Sequence, residues 1–222
     1  MAHSMSENAA GPTILTVPGL NNSGPSHWQS LWERFRGDTL RVELGQWDRP
    51  HRNSWVTKLD QAIRTAQAPV ILVAHSLGCQ AVAWWAELSG QPYGWPVAGA
   101  LLVAPADVDR HDAPAEIAGF APSPAQVLPF PSILVASRDD PWIELGRARA
   151  LAGQWGSHFV DVGCQGHINA ASGIGDWQEG QDLLDRLIDA ASGVRTPAAM
   201  RAELTMSLAS GETDSRWSAD RR

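Results

Sequence analysis

Apolar positions in this chain come in short unbroken runs rather than in strict alternation. Such runs stand at Val70–Ala74, Val97–Ala104 and Ile133–Ala136; Thr13–Val17 is a short β-branched run ending at Pro18-Gly19, and Thr39–Leu44 and Phe159–Val162 read as further short strands. Between them the apolar residues fall at helical spacing. Trp28, Leu31, Trp32 and Phe35 mark one helix, with Ser26 as its N-cap. Val56, Leu59, Ile63 and Ala66 mark a second, capped by Asn53 or Ser54 and stopped by Pro69. Leu77–Leu88 is apolar nearly all round, which predicts a buried helix. Ile143–Trp155 carries another helical pattern, and Asp176 or a neighbour starts a last helix through Leu183, Leu184, Leu187 and Ile188. Continuous apolar strands alternating with helices predict a parallel sheet covered on both faces. The fold class is therefore α/β, a doubly wound sheet of about six parallel strands.

The pattern fails at both ends. Residues 1–12 read as a loose leader, and residues 193–222 as a polar, mobile tail with one helical turn near Ala199–Leu204. One α/β domain over 13–192 remains. A proline-rich insert, Pro105 to Pro131, separates two of the strands; Pro114, Pro122, Pro124 and Pro129 forbid long helices there. It is too small for a full cap domain and predicts at most a flap beside an open site.

Composition narrows the function. The chain has 222 residues, 44% hydrophobic and 18% charged, enough for one large core. Its net charge of −7, with no basic cluster before Arg221-Arg222, excludes nucleic acid and anionic membrane as partners. No apolar run approaches the roughly 20 residues that span a bilayer. Met1–Gly11 lacks the basic-then-apolar pattern of a signal peptide, so the expected compartment is the cytoplasm. Cys79 and Cys164 have no C-x-x-C spacing and predict no disulfide framework. The 11 tryptophans predict mainly core and anchor packing, with a few at a pocket.

The chemistry is written at Val73-Ala74-His75-Ser76-Leu77-Gly78. An apolar strand ends in a serine, a glycine follows two residues later, and a helix begins. This is the nucleophile elbow, G-x-S-x-G, with Ala74 at the first glycine. Serine needs a base, and the base needs a carboxylate that fixes its tautomer. The order of such sites is Ser, then Asp or Glu, then His, each just past a strand. Ile133–Ala136 runs into Asp139-Asp140-Pro141, and Phe159–Val162 runs into Gly166-His167. Ser76, Asp139 or Asp140, and His167 thus stand in the required order. The oxyanion donors expected are the amide of Leu77, at a helix start, and an amide of the loop after Gly19: Leu20 first, Asn21 as the fallback. Gly19 is read as letting that loop turn tightly.

Val17-Pro18-Gly19, His27-Trp28, His75-Ser76-x-Gly78, Asp139-Asp140-Pro141 and Gly166-His167 together resemble the small serine hydrolases of the retinoblastoma-binding protein nine and YdeN-like type. The resemblance covers roughly residues 13–190. It implies a compact α/β-hydrolase fold and esterase activity on small acyl substrates. It selects Asp140, the aspartate directly before proline, as the acid. The chain departs from some relatives in carrying Leu20-Asn21-Asn22 where they carry more glycines, and it lacks an L-x-C-x-E motif.

Each candidate has a plainer reading. Ser76 could cap an ordinary strand-to-helix turn, and His167 could be a surface loop histidine. The aspartate not chosen is most simply a solvated turn residue, and His75 a packed or hydrogen-bonded neighbour. Asn21, His27, Trp28 and Trp142 are candidates to line the substrate pocket, against plain packing at a helix start. Cys164 reads as a buried, inert thiol. No H-E-x-x-H or dinucleotide fingerprint occurs, so no metal and no cofactor are implied. The expectation is a hydrolase of small carboxylic esters. Its rivals are an interaction module on a hydrolase scaffold and an acyltransferase.

Overall fold

A computed structural model describes residues 11–67 and 69–193. The expected leader lies outside the described residues except for Gly11 and Pro12, and the expected tail lies outside them beyond Gly193. Six strands form one sheet: β1 (Thr13–Val17), β2 (Thr39–Arg41), β3 (Val70–His75), β4 (Val97–Val103), β5 (Ser132–Ala136) and β6 (His158–Asp161). Helices α1 (Trp28–Phe35), α2 (Arg52–Thr65), α3 (Leu77–Ser89), α4 (Ala115–Ala118), α5 (Leu145–Trp155) and α6 (Gln178–Gly193) connect or follow them. The strand order is β2-β1-β3-β4-β5-β6, and every pair is parallel. From β1 the chain first steps outward to β2, then returns to the other side of β1 as β3. Loops after β1 and β3 therefore diverge at a topological switch point, where open α/β sheets bind ligands.

The sheet is dry on both faces, and the side-chain alternation of a strand explains how. Leu72 and Ala74 of β3 join a core with Trp55, Leu59, Val82 and Trp155, while Ile71 and Val73 join one with Trp28, Trp32, Leu184 and Leu187. Helix α3 is buried nearly throughout, as its composition predicts. Gly78 makes that burial possible. A Cβ at this position would lie 2.2 Å from Val17 O, so only glycine lets α3 pack on the end of β1.

Several details differ from the sequence reading. Strand β2 stops at Arg41, not Leu44, because its only partner, β1, runs into Pro18, which has no N–H for a ladder. The cap of α1 is His27 rather than Ser26, and its Nδ1 accepts the Gln29 N–H. Helix α2 begins one residue earlier than Asn53, after His51. Phe35 is 72% exposed on the last turn of α1, since the chain leaves the helix directly at Arg36. The insert contributes only the single turn α4, consistent with its prolines.

Candidate active site

Ser76 sits between β3 and α3 with φ 55° and ψ −123°. A non-glycine residue held there costs about 1–3 kcal/mol. The strain is sustained by the ladder bond from Ser76 N–H to Val103 O and by the start of α3 immediately after it. The hydroxyl is thereby lifted off the sheet. His167 Nε2 lies 2.9 Å from Ser76 Oγ, and Nδ1 lies 2.9 Å from both oxygens of Asp140. A carboxylate can only accept, so Nδ1 carries the proton and Nε2 presents its lone pair to the serine O–H. The Asp140 side chain is fully buried, and its Oδ1 also accepts the Trp142 N–H at 2.8 Å.

The loop that carries His167 is tied down from both sides. Gly166 N–H donates to Asp139 Oδ1 at 2.8 Å, and Gln165 N–H to the Ser137 hydroxyl at 2.8 Å. Beyond the imidazole, His75 Nε2 donates to His167 O and Trp28 Nε1 donates to Ile168 O, each at 2.9 Å. Ile168, β-branched and buried, is held at φ 46° by these contacts. One sequence reading holds and one is corrected here. Asp139 is an exposed turn residue, as read, and it also braces the β5 and β6 loops. Ser137 and Gly166 hold its carboxyl below the ordinary carboxylate range. Trp28 is fully buried in the core under α1 and anchors the His167 loop; it does not line the cleft. The same use of indole N–H groups recurs at Trp32, Trp55, Trp84 and Trp155, each donating to a loop carbonyl.

The β1–α1 loop lies against the elbow. A Cβ on Gly19 would stand 2.8 Å from Ser76 Cβ and 3.1 Å from Leu77 N. Close approach, rather than a tight turn, is therefore what requires glycine at 19. Next comes a turn in which Asn22 N–H donates to Gly19 O, while Asn21 N–H donates to Trp47 O at 2.8 Å. Asn21 and Asn22 both adopt φ 64°, the left-handed region that asparagine tolerates. The Asn21 amide is thus already engaged by Trp47 O.

A cleft of about 170 Å³ opens over Ser76. The pocket candidates Asn21, His27 and Trp142 line it, together with Leu20. His75, Asn22 and Asn169 join them, with Ala106 and Ile117 from the insert. These five were missed as pocket residues. Asn169 was within reach of sequence reasoning, two positions past His167; Ile117 carried no local signal. Among the described residues no lysine, arginine, aspartate or glutamate lines the cleft. Among the described residues no group of histidine, cysteine and carboxylate side chains converges to hold a metal ion.

His27, His75 and His167 form a row, with ring centroids 4.7 and 4.8 Å apart. Burial, then the neighbouring His167 and Arg41, pushes the His27 pKa down to about 4. Its Nε2 is buried with no hydrogen-bond partner. Burial lowers His75 in the same direction. Between pH 6.5 and 4 the unfolded chain binds a proton at residue 27 that the folded chain refuses. The contribution is therefore complete above pH 6.5 and fades as the pH falls toward 4, by roughly 3 kcal/mol in all. His27→Asn keeps a capping oxygen without the titration. Urea unfolding from pH 7 to 4 should show a shallower loss of stability for this variant than for wild type; equal slopes would refute the assignment.

A hydroxyl, imidazole and carboxylate aligned on the rim of a parallel sheet are the working parts of a serine hydrolase on the α/β-hydrolase scaffold. Comparison with known proteins fixes the family. The model of the Serine hydrolase family matches residues 14–186, and the chain belongs to that family. It is similar to a YdeN-like hydrolase from Pectobacterium atrosepticum, with 34% identity over 82% of this chain and 92% of that one and a TM-score of 0.71. The ydeN gene product of B. subtilis shares the fold at 20% identity, covering 80% of this chain and 99% of that one, TM-score 0.65. So does a monoacylglycerol lipase from Paleococcus ferrophilus, at 12% identity, 82% and 95% coverage and a TM-score of 0.60. No curated protein sequence matches the chain.

Proposed function

We propose that this enzyme hydrolyses small, uncharged carboxylic esters through an acyl-serine intermediate, with Ser76 as nucleophile, His167 as base and Asp140 as orienting acid. The observation that carries the reading is the 2.9 Å approach of His167 Nε2 to Ser76 Oγ while Nδ1 is engaged by Asp140. As Ser76 Oγ attacks the ester carbonyl, its proton passes to His167 Nε2. Asp140 stabilises the resulting imidazolium without taking its proton. The carbonyl oxygen, now negative, accepts hydrogen bonds from the Leu77 and Leu20 amides; Leu77 opens α3, and the helix dipole favours charge there. His167 then hands its proton to the alcohol oxygen as the carbon–oxygen bond breaks. A water molecule repeats the sequence on the acyl-serine and releases the acid.

Substrate size follows from the cleft. The cleft is small, about 170 Å³, which suits a short acyl chain. The absence of charged side chains from its lining favours neutral substrates. Cys79 and Cys164 are both unpaired, which suits the reducing cytoplasm. The test is covalent: a fluorophosphonate probe should label the wild-type protein, with fluoride leaving, and should not label Ser76→Ala. Absence of labelling on folded wild type would favour an interaction module instead.

A further inference from the structure

Two depressions, not one, meet at His167. The first is the cleft over Ser76. The second, wider and more open, measures about 380 Å³ and is lined by Pro141, Cys164, Gln165, Gly166, Ala171 and Ser172. Trp142, His167 and Asn169 line both. They form a ridge, with the Trp142 and His167 ring centroids 5.9 Å apart. The mechanism gives the two sides different meanings. The oxyanion points at Leu20 and Leu77, inside the first cleft. The alcohol oxygen must receive its proton from His167 Nε2, so the alcohol has to leave along the imidazole. On the proposed mechanism the acyl group belongs in the first cleft and the departing group on the His167 side.

Building on the mechanism above, we infer that the second depression is the alcohol subsite, and that the enzyme acts on short-acyl esters of bulky, uncharged alcohols able to pack against Trp142. No lysine, arginine, aspartate or glutamate lines the depression, which disfavours phosphorylated or carboxylated leaving groups. Its volume is more than twice that of the acyl cleft, so the larger half of the substrate belongs on the alcohol side. The Trp142 indole supplies an apolar face beside the imidazole.

Cys164 serves as a reporter, since its thiol is exposed in this wall while Cys79 is buried. The experiment measures kcat/KM for benzyl acetate and methyl acetate, which share an acyl group and differ in the alcohol. Cys164→Trp, which fills the depression, should lower the benzyl-to-methyl ratio by ~10-fold or more. Treating the wild-type enzyme with N-phenylmaleimide should lower the ratio in the same way, and Cys164→Ser should make it insensitive to the reagent. This second route does not depend on Cys164→Trp folding. If both esters are cleaved and the ratio moves by less than twofold in both experiments, the subsite assignment fails while the hydrolase mechanism stands. If wild type neither cleaves methyl acetate nor takes the fluorophosphonate label, the mechanism itself fails, and the subsite with it.

Discussion

Ser76→Ala, His167→Ala and the double variant are expected to lose nearly the same activity, about a millionfold in kcat on a short-acyl ester. The reason lies in the geometry. His167 Nε2 has one hydrogen-bonding partner at 2.9 Å, the Ser76 hydroxyl, and its other nitrogen is occupied by Asp140. Neither half of this pair has a function without the other. An unassisted serine hydroxyl is a poor nucleophile, and an imidazole facing alanine has no proton to accept. Once one is removed, removing the second takes away nothing further. The Leu20 and Leu77 amides remain, so some rate above the uncatalysed background should persist in all three variants, of the order of a thousandfold. Steady-state kinetics on purified folded variants provides the check. A double variant slower than either single one by the product of both losses would mean that the two residues act independently, and the proposed relay would be wrong.

Much of the fold is legible in the sequence because its central strands are buried on both faces. β1, β3, β4 and β5 are short, mostly apolar and β-branched runs bounded by turn residues, too short for helices, and they fall within a residue or so of their expected bounds. Strand β2 is overextended because its end depends on a proline in its neighbour, not on its own residues. The site divides along the same line. Ser76, His167 and the aspartate pair are legible because each follows a strand in a fixed order. What each neighbour does is less legible, since it depends on contacts between distant segments. Trp28 reads as a pocket residue from its place at the start of α1, yet its indole reaches 140 residues along the chain to Ile168 O. Gly19 reads as a turn glycine, yet what excludes a side chain there is the elbow some 57 positions later, an approach that periodicity does not encode.

Of the two adjacent carboxylates, only one should prove essential: Asp140→Asn is expected to lower kcat about 10⁴-fold, and Asp139→Asn less than about 10-fold. The substitutions are isosteric, so the difference must come from hydrogen bonding and charge. At Asp140 both oxygens lie 2.9 Å from His167 Nδ1, and Oδ1 additionally receives the Trp142 N–H. An asparagine oriented to keep the Trp142 bond places its NH₂ at the second oxygen's position, donor against donor. The imidazole escapes by moving its proton to Nε2, which leaves no lone pair for Ser76 and no negative charge to balance an imidazolium. At Asp139 one oxygen, Oδ1, takes both bonds, from the Ser137 hydroxyl and the Gly166 N–H. The amide oxygen of asparagine can accept both, so the brace between the β5 and β6 loops survives without the charge. Both variants should unfold near the wild-type temperature, so that kcat reports on the imidazole and not on the fold. An Asp139→Asn enzyme as slow as Asp140→Asn would show that His167 takes its orientation from the brace rather than from the carboxylate it touches.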